Sequence, residues 1–488
     1  MPRPVTVYSC RECGAQARQF FGRCPSCGAW NSLVEERSGP RGQPAASGPA
    51  AEPRPRHSEA INLVAGPPLS RLSSGSSEFD RVLGGGVVPG SLVLVGGDPG
   101  IGKSTLLLQS ATAMAAGHPV LYVSAEESAQ QVRLRWRRLM ERPADERPAG
   151  DGGPDPDAAG DRLRLLAETD LDRVLEELQS LRPSVAIIDS IQALCDEALS
   201  SAPGSVAQVR ECASALQRLA KRQGTALLLV GHVTKDGVLA GPKVLEHLVD
   251  AVLTFEGDRF ASHRLLRAVK NRYGATHELG VFEMRSGGLE EVSNPSELFL
   301  SDDSAACGVA TIVACEGTRP LVVELQALVN TTAYASPRRT ATGIGTNRLH
   351  QILAVLERHL GLPLSRYDCY LAVAAGLAVE EPASDLGVAA AVLASCRTFT
   401  LPAGTVLIGE LGLGGQIRPV SQLELRLQEA ARLGFRRAII PRAGTATAIS
   451  SVDGLACLPV RTLAEAMVAA LEVEASDLAP APADWDQK

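Results

Sequence analysis

One stretch of nine residues restricts the fold of this chain more than any other feature, because it matches the phosphate-binding loop pattern G-x-x-x-x-G-K-[ST] in full. It consists of Gly97, Asp98, Pro99, Gly100, Ile101, Gly102, Lys103, Ser104 and Thr105. The apolar run before it predicts a buried strand, and the residues from Thr105 onward predict a helix. Between the two, glycines let backbone N–H groups converge on phosphate oxygens, and the helix N-terminus adds partial positive charge. The sequence therefore predicts an α/β domain that binds a nucleoside triphosphate, with Lys103 at the β- and γ-phosphates and Ser104 at Mg²⁺.

Two acidic residues follow further apolar runs that predict strands of the same domain. Glu126 comes just after the run 119–124, and Asp189 ends the run 185–189. Carboxylates at the carboxyl ends of parallel strands face the ligand crevice. We expect Asp189 to be a partner in the Mg²⁺ shell and Glu126 to polarise the water that attacks the γ-phosphate. For Glu126, a solvated acid at the start of a helix is the alternative.

Four cysteines near the N-terminus have the spacing of a structural metal site. Cys10 and Cys13 form one C-x-x-C pair, and Cys24 and Cys27 form a second pair ten residues further on. Two such pairs favour a closed tetrahedral Zn²⁺ site that stabilises a module too small to fold on its own. A redox-active pair is the alternative for the motif, and iron is the alternative for the ion.

The remaining composition sets broad limits on the class of protein. The 488 residues suffice for about three domains, and the net charge of -7 does not indicate nucleic-acid binding. Any DNA contact is then expected from local basic patches such as 133–138, although an exposed helix face explains that run equally well. With no signal pattern and no long apolar run, we expect a soluble, cytoplasmic protein that does not contact membranes.

Changes in composition along the chain predict its organisation. Pro/Gly-rich segments of low hydrophobicity mark a flexible linker and a disordered insertion. The predicted regions are a zinc-binding module (7–34), the linker (35–65), an ATPase domain (66–290) with its insertion (142–161), a C-terminal domain (295–475) and a disordered tail (476–488).

The order of these motifs resembles the bacterial RadA (Sms) family of DNA-repair ATPases. The resemblance runs from about residue 7 to about residue 470, and it includes the cysteine pairs, the phosphate loop, Glu126 and the stretch 189–192. It also includes a motif particular to that family, formed here by Lys270, Asn271, Arg272, Tyr273 and Gly274. Tyr273 stands where the family usually has Phe, and the change keeps the aromatic ring.

The resemblance implies a RecA-like core that binds ATP with Mg²⁺ and hydrolyses it in response to DNA. It also implies ring-shaped hexamers, single-stranded and branched DNA as partners, a RecA-type recombinase as a further partner, and branch migration during homologous recombination. Lys270 and Arg272 are then expected at a subunit interface or along the DNA path. There, permanent cations stabilise charge on a neighbour's γ-phosphate. A solvated strand end is the alternative for both residues.

The C-terminal part is similar to the α+β proteolytic domain of Lon, which uses a Ser–Lys dyad. This chain has six lysines, at 103, 221, 235, 243, 270 and 488, and therefore none between Lys270 and Lys488 to act as the base. The position that matches the serine falls on or near Val388. Arginine stays protonated and cannot replace lysine. We therefore expect a non-proteolytic scaffold for ring assembly, with Arg338, Arg339 and Arg348 as candidates to line a DNA channel.

Two rival functions remain alongside the DNA motor. The first is a peptidase, which the absence of a base in the C-terminal domain opposes. The second is a RecA-like ATP-binding regulatory or signalling protein without motor activity on DNA, because one fold serves many functions. The zinc module and the motif 270–274 argue against that second rival.

Overall fold

The computed structural model of the chain contains two compact units, Met1–Val292 and Ser293–Lys488. The residues it describes are 5–10, 15–17, 19, 21–30, 32–38, 70–141, 161–231, 243–257, 263–300, 306–442, 451–474, 476 and 478. Four predictions therefore lie wholly or mostly outside the described residues: Cys13, the linker (35–65), the insertion (142–161) and the tail (476–488).

The N-terminal module is a three-stranded antiparallel sheet of order β2-β1-β3. Its strands are β1 (Val5–Cys10), β2 (Gln16–Ala17) and β3 (Leu33–Ser38). Strand β1 pairs with β3 along its full length, from Val5 opposite Ser38 to Cys10 opposite Leu33. The pairing carries β3 four residues into the predicted linker, because the partner strand satisfies backbone groups that the polar sequence 35–38 gave no reason to pair.

The nucleotide-binding part of the first unit is built on a nine-stranded sheet of order β12-β11-β10-β9-β4-β8-β7-β5-β6. The strands from β9 to β6 in this order run parallel, and β9 to β12 form an antiparallel meander at one side. The strands are β4 (Leu92–Gly97), β5 (Val120–Ser124), β6 (Leu163–Ala167), β7 (Val185–Asp189), β8 (Ala226–Val230), β9 (Ala251–Glu256), β10 (His263–Asn271), β11 (Leu279–Arg285) and β12 (Gly288–Glu291).

Helices cover both faces of this sheet. They are α1 (Ser77–Leu83), α2 (Lys103–Ala115), α3 (Ala129–Met140), α4 (Leu171–Leu181), α5 (Val206–Gln223) and α6 (Lys243–Leu248). Along β4, Val93 and Val95 pack with α1, α2 and α3, whereas Leu92 and Leu94 pack with α4, α5 and α6. Alternate side chains of one strand thus enter two separate cores, which explains why the central strands are apolar throughout.

Capping residues set where several of these helices begin and end. The Ser128 side chain accepts from the backbone N–H of Gln131, whose own side chain accepts from the N–H of Ser128, so α3 begins with a capping box. Helix α5 ends at Gly224, which adopts the left-handed conformation (φ 76°) that glycine tolerates best. Local sequence therefore fixes the helix ends, and packing fixes the faces.

The second unit contains an eight-stranded mixed sheet of order β15-β16-β14-β13-β17-β20-β22-β21 and a small two-stranded sheet, β18-β19. Its strands are β13 (Val309–Glu316), β14 (Arg319–Thr331), β15 (Arg339–Thr342), β16 (Tyr367–Val373), β17 (Thr405–Leu407), β18 (Glu410–Leu411), β19 (Ile417–Arg418), β20 (Arg437–Pro441), β21 (Ser451–Val452) and β22 (Leu455–Val460). Its helices are α7 (Thr346–Leu360), α8 (Asp385–Arg397), α9 (Leu423–Arg432) and α10 (Leu463–Leu471).

The predicted fold class is confirmed: an α/β core with parallel central strands, an N-terminal cysteine module and a C-terminal α+β domain. The apolar runs predicted as strands before the phosphate loop, before Glu126 and at Asp189 are β4, β5 and β7. Within the described parts of the chain, no helix is both long enough and apolar enough to span a bilayer.

Candidate functional site

The phosphate loop joins β4 to α2 and has the backbone that its glycines permit. Gly97 has φ 150° and Gly102 has φ 118°, and helix α2 begins directly after Gly102. A Cβ atom on Gly97 would lie 2.8 Å from the Cβ of Phe255, and one on Gly102 would lie 2.8 Å from the Cε of Met284. Both φ values lie in the region that favours glycine, and a side chain at Gly97 would also meet Phe255, so the loop backbone depends on glycine at these two positions.

Lys103 is the first residue of α2 and is only 4% exposed. Its Nζ donates to the carbonyl oxygens of Gly97 at 2.8 Å and Asp98 at 3.0 Å. Burial lowers the pKa of Lys103, and the carboxylates of Asp189, Asp98 and Glu126 oppose that change. The amine thus lies within electrostatic reach of both predicted catalytic acids.

Asp189 lies at the end of β7 and is half-buried. One of its oxygens, Oδ2, accepts a hydrogen bond from the hydroxyl of Tyr122 at 2.6 Å. Burial and the neighbouring Asp189 carboxylate raise the pKa of Tyr122 well above its ordinary value, so the phenol stays neutral and donates. The sequence did not reveal this contact, because Tyr122 stands within a run that indicates only a buried strand.

Glu126 follows β5, beside the end of β7. The hydroxyl of Ser190 donates to its Oε1, and the N–H of Ala125 donates to the carbonyl of Asp189 at 2.7 Å. Glu126 and Asp189 are thereby brought to the same edge of the sheet, as predicted from their places after two strands. In the sequence, Ser190 belongs to the stretch 189–192 that carries the family resemblance, but no role for its hydroxyl could be predicted there.

The oxygen atoms at this edge suit a hard cation. Ser104 lies half-buried in the first turn of α2, and the carboxylates of Asp189 and Glu126 lie close enough to influence Lys103 in the same loop. Hydroxyl and carboxylate oxygens are the ligands that Mg²⁺ prefers, and it commonly binds through one or two protein groups plus phosphates. The residues present therefore fit Mg²⁺ bound together with a nucleotide.

The motif 270–274 lies at the opposite edge of the sheet from the phosphate loop. Lys270 pairs with Val252, which lies beside Leu94 of β4, and the N–H of Arg272 donates to the carbonyl of Asp250, which lies beside Leu92. At roughly 3.3 Å per residue, β4 rises about 10 Å from Leu94 to Gly97 and about 17 Å from Leu92 to Gly97. Within one chain, these two cations are therefore remote from the phosphate loop.

Both cations of the motif have partners within the first unit. Lys270 Nζ donates to the carbonyls of Glu246 at 2.5 Å and Val249 at 2.8 Å, at the end of α6. Arg272 Nη1 donates to Oδ1 of Asp250 at 2.9 Å, and Oδ2 of that carboxylate accepts from the N–H of Leu92. Desolvation lowers the pKa of Lys270, and the charge of Arg272 lowers it further. The motif thus ties β10 to the ends of neighbouring elements.

Asn271 and Gly274 secure the same region against α1. Asn271 Nδ2 donates to the carbonyl of Val82 at 3.2 Å, and its Oδ1 accepts from the N–H of Tyr273 at 2.9 Å. A Cβ on Gly274 would lie 2.8 Å from the Cα of Gly84, so the two backbones touch at these glycines. Gly274 therefore has a packing role, and the side chain of Asn271 fixes the backbone on both sides of this turn, which sequence alone did not reveal.

Three of the four predicted metal ligands lie together in the N-terminal module. The sulfur atoms of Cys10, Cys24 and Cys27 all lie within 4.8 Å of one another, and Cys13 lies outside the described residues. In both cysteine pairs the first cysteine donates its N–H to the carbonyl five residues later, Ala15 or Ala29. Hydrogen bonding from the backbone of Cys27 lowers the pKa of the Cys24 thiol. Thiolates clustered at this distance fit Zn²⁺.

The residues at and near the position that matches the protease serine are buried in the second unit. Val388 is fully buried in α8. The nearby Ser384 is 3% exposed, and its hydroxyl donates to the carbonyl of Glu381 at 2.8 Å. Arg426, 1% exposed, donates through Nη1 and Nη2 to the two oxygens of Glu381 at 2.6 and 2.5 Å.

The three candidate channel arginines have different surroundings. Arg348 is half-buried and donates through Nε and Nη2 to both oxygens of the buried Asp385, so its charge is paired within the second unit. Arg339 is half-buried and donates to the carbonyl of Leu364 at 3.4 Å. Arg338 is exposed, and its guanidinium lies 3.9 Å above the ring of Tyr334.

Three family models match separate parts of the chain. Residues 8–35 match the rubredoxin metal binding domain, residues 69–238 match an AAA domain, and residues 346–444 match subunit ChlI of Mg-chelatase. These matches coincide with the cysteine module, the phosphate-loop domain and the second unit, and the first unit accordingly contains a P-loop ATPase domain.

Whole-chain relatives are also found. The chain is 54% identical to DNA repair protein RadA of Synechocystis sp. over 96% of this chain and 95% of the relative. It is 45% identical to DNA repair protein RadA of Bacillus subtilis over 96% of this chain and 99% of that relative. Among solved structures, the KaiC-like protein PH0186 of Pyrococcus horikoshii is 21% identical, with a TM-score of 0.37, covering 46% of this chain and 100% of that one.

Proposed function

The chain belongs to the RadA family of DNA repair proteins, and on that premise we propose that it is a DNA-dependent ATPase that processes and branch-migrates recombination intermediates. The observation that carries the proposal is the meeting of Lys103, Asp189 and Glu126 at one edge of the sheet, beside the open N-terminus of α2. That edge has the charges needed to bind and cleave a triphosphate.

The residues of this edge divide the work between binding and cleavage. The Nζ of Lys103 donates to β- and γ-phosphate oxygens in place of the carbonyls of Gly97 and Asp98. The N–H groups at the start of α2 bind the remaining phosphate oxygens. Ser104 and Asp189 would hold Mg²⁺, which would supply positive charge to offset that of the β- and γ-phosphates. Glu126 accepts a hydrogen bond from the attacking water and orients it toward phosphorus.

Lys270 and Arg272 support an assembly of several chains. Because they lie at the far edge from their own phosphate loop, the nucleotide they could stabilise belongs to a neighbouring copy. We propose a ring, hexameric as in the resemblance above, in which this motif contacts the neighbour's nucleotide or the DNA. Single-stranded and branched DNA and a RecA-type recombinase are the proposed partners, in the cytoplasm.

The second unit is proposed as a non-proteolytic scaffold. The absence of lysine between 270 and 488 removes the amine base, and Ser384 already donates its proton to a backbone carbonyl. Arg338, stacked on Tyr334, remains the best DNA-contact candidate among the three arginines named above, because it is exposed.

The test measures phosphate release by the purified protein with Mg·ATP, with and without single-stranded and branched DNA. We expect stimulation by DNA and movement of a branch point that requires hydrolysis, with Lys103→Ala as the inactive control. Neither stimulation nor DNA binding at low salt would favour the regulatory protein instead. Hydrolysis of a peptide substrate would restore the protease interpretation.

We also propose that Cys10, Cys13, Cys24 and Cys27 hold one structural Zn²⁺. Cys24→Ser is expected to remove the metal and disorder residues 7–34 while the ATPase domain stays folded, because metal binding supplies the folding free energy of so small a module. Metal analysis and hydrogen exchange measure both effects, with the exposed Cys307→Ser as control. One zinc per chain in Cys24→Ser would rule out the four-sulfur site.

A further inference from the structure

The hydroxyl of Tyr122 is placed to control the orientation of Asp189. Strands β5 and β7 are parallel neighbours, with Ser124 opposite Asp189 and Tyr122 opposite Ile187. The phenol of Tyr122 therefore starts two residues before the strand end and reaches forward to Oδ2 of Asp189, at 2.6 Å. The contact links the interior of one strand to the functional end of the next.

The ring of Tyr122 is held rigidly enough to transmit that position. The residue is 1% exposed and belongs to the apolar core between the sheet and helices α2 and α3. Because the ring is packed on all sides, it has few alternative rotamers, and its hydroxyl is held in one position. A hydrogen bond to one carboxylate oxygen restricts rotation of the carboxylate and leaves the other oxygen, Oδ1, to face a ligand.

The chemistry of the donor is as important as its position. A phenol orients the carboxylate without cancelling its charge, whereas an arginine in the same place would neutralise it. Arg135, whose charge acts on the phenol of Tyr122, is itself paired with Glu127. This arrangement suits a carboxylate that must attract Mg²⁺ or the water molecules around it.

We propose that Tyr122 is a positioning residue that presents Asp189 to the Mg²⁺ of the bound nucleotide. The proposal rests on the ATPase function proposed above. It assigns Tyr122 a part in metal affinity and none in contact with the nucleotide itself.

The test is Tyr122→Phe, which keeps the ring and removes the hydroxyl. Mn²⁺ replaces Mg²⁺ as a paramagnetic probe, and its binding to the protein–ADP complex is measured by electron paramagnetic resonance without turnover. We expect Mn²⁺ to bind about 10-fold more weakly in Tyr122→Phe. Binding of metal-free ADP should change less than twofold, and the Mg²⁺ concentration that gives half-maximal hydrolysis should rise with the Mn²⁺ dissociation constant.

Thr112→Val is the matched control, since it also removes one buried hydroxyl from the same core. Thr112 is 1% exposed, donates to the carbonyl of Leu108 and accepts from Nε1 of Trp136, away from Asp189. We expect it to lower thermal stability but to leave Mn²⁺ affinity at the wild-type value. In an Asp189→Asn background, Tyr122→Phe should change Mn²⁺ affinity less than twofold, because the group through which it acts is gone.

The outcomes separate the two proposals. Wild-type Mn²⁺ affinity in folded Tyr122→Phe, or equal losses in Tyr122→Phe and Thr112→Val, would overturn the role of Tyr122 and leave the ATPase proposal intact. A wild-type protein that binds neither ADP nor Mn²⁺·ADP would overturn the ATPase proposal itself.

Discussion

The two compact units each hold a pair of carboxylates bound by neighbouring side chains, and the partners differ in kind. Asp189 is half-buried and Glu126 is exposed, whereas Glu381 is half-buried and Asp385 is buried. In the first unit, Asp189 and Glu126 accept hydrogen bonds from the neutral hydroxyls of Tyr122 and Ser190. The nearby ammonium of Lys103 donates to loop carbonyls. In the second unit, two arginines form ion pairs with the acids: Glu381 with Arg426 and Asp385 with Arg348.

The difference teaches how the same residue types serve as reactive groups or as structural ones. A hydroxyl fixes the direction of a carboxylate and leaves its charge for a ligand, whereas a guanidinium satisfies both oxygens and cancels the charge. A third case lies within the first unit, where Asp250 at the far edge of the sheet is paired with Arg272. The partner of an acid is therefore a better guide to its role than its burial.

The largest expected effect comes from removing Lys103, the cation that lies near Asp189 and Glu126. Lys103→Ala should lower ATP hydrolysis about 1,000-fold, because no other group in the loop supplies positive charge to the γ-phosphate. Steady-state phosphate release at saturating Mg·ATP measures it. Lys221→Ala, an exposed lysine on α5, should retain wild-type hydrolysis. Equal rates in both variants would mean that the phosphate loop is misassigned.

The comparison also predicts that the arginine-paired acids are structural. Arg426→Met should lower the free energy of unfolding of the second unit by about 3–5 kcal/mol, because it leaves the Glu381 carboxylate without its counter-charge. Hydrogen exchange in β13 and β14 measures this loss. Arg418→Met, at an exposed ion pair with Glu410, should change it by about 1 kcal/mol or less. Similar losses of unfolding free energy in Arg426→Met and Arg418→Met would show that the buried ion pair is no more important for stability than the surface pair.

A smaller effect tests the hydroxyl that holds Glu126. Ser190→Ala should slow hydrolysis about 10-fold, since one hydrogen bond of about 1–1.5 kcal/mol is lost from the residue that orients water. Nucleotide affinity should stay the same, because Ser190 has no part in binding phosphate. Equilibrium binding of ADP together with single-turnover hydrolysis separates the two. A loss confined to affinity would contradict the role given to Glu126.

The smallest effect on nucleotide binding is expected at the far edge of the sheet. Lys270→Ala and Arg272→Ala should change ADP affinity less than twofold, because both side chains lie remote from the loop of their own chain. Branch migration should nevertheless be impaired if these cations serve a neighbouring copy or DNA. A strand-exchange assay measures it, and wild-type branch migration in both variants would remove that role.

The sequence predicted what depends on local pattern. The strand–loop–helix around Lys103 followed from the glycine spacing, and Glu126 and Asp189 followed from their places after apolar runs. The paired cysteines were predicted for the same reason, and the three that are described lie together.

What the sequence did not predict depends on contacts between distant segments. In the sequence, Tyr122 is one residue of a strand that is predicted to be buried. Its hydrogen bond to Asp189 becomes evident only once β5 and β7 are paired. Lys270 reads as an available cation, yet its amine is bound to the end of α6. Arg348 is a channel candidate in the sequence, and its pairing with Asp385 could not be predicted, because it depends on how helices α7 and α8 pack together. Each case required tertiary packing to be known.

The contacts of Lys103 also have a consequence for the backbone of the loop. By donating to the carbonyls of Gly97 and Asp98, its amine fastens the first two loop residues to the start of α2. A truncated side chain loses this tie together with the charge, so Lys103→Ala is expected to loosen the loop as well as to slow hydrolysis.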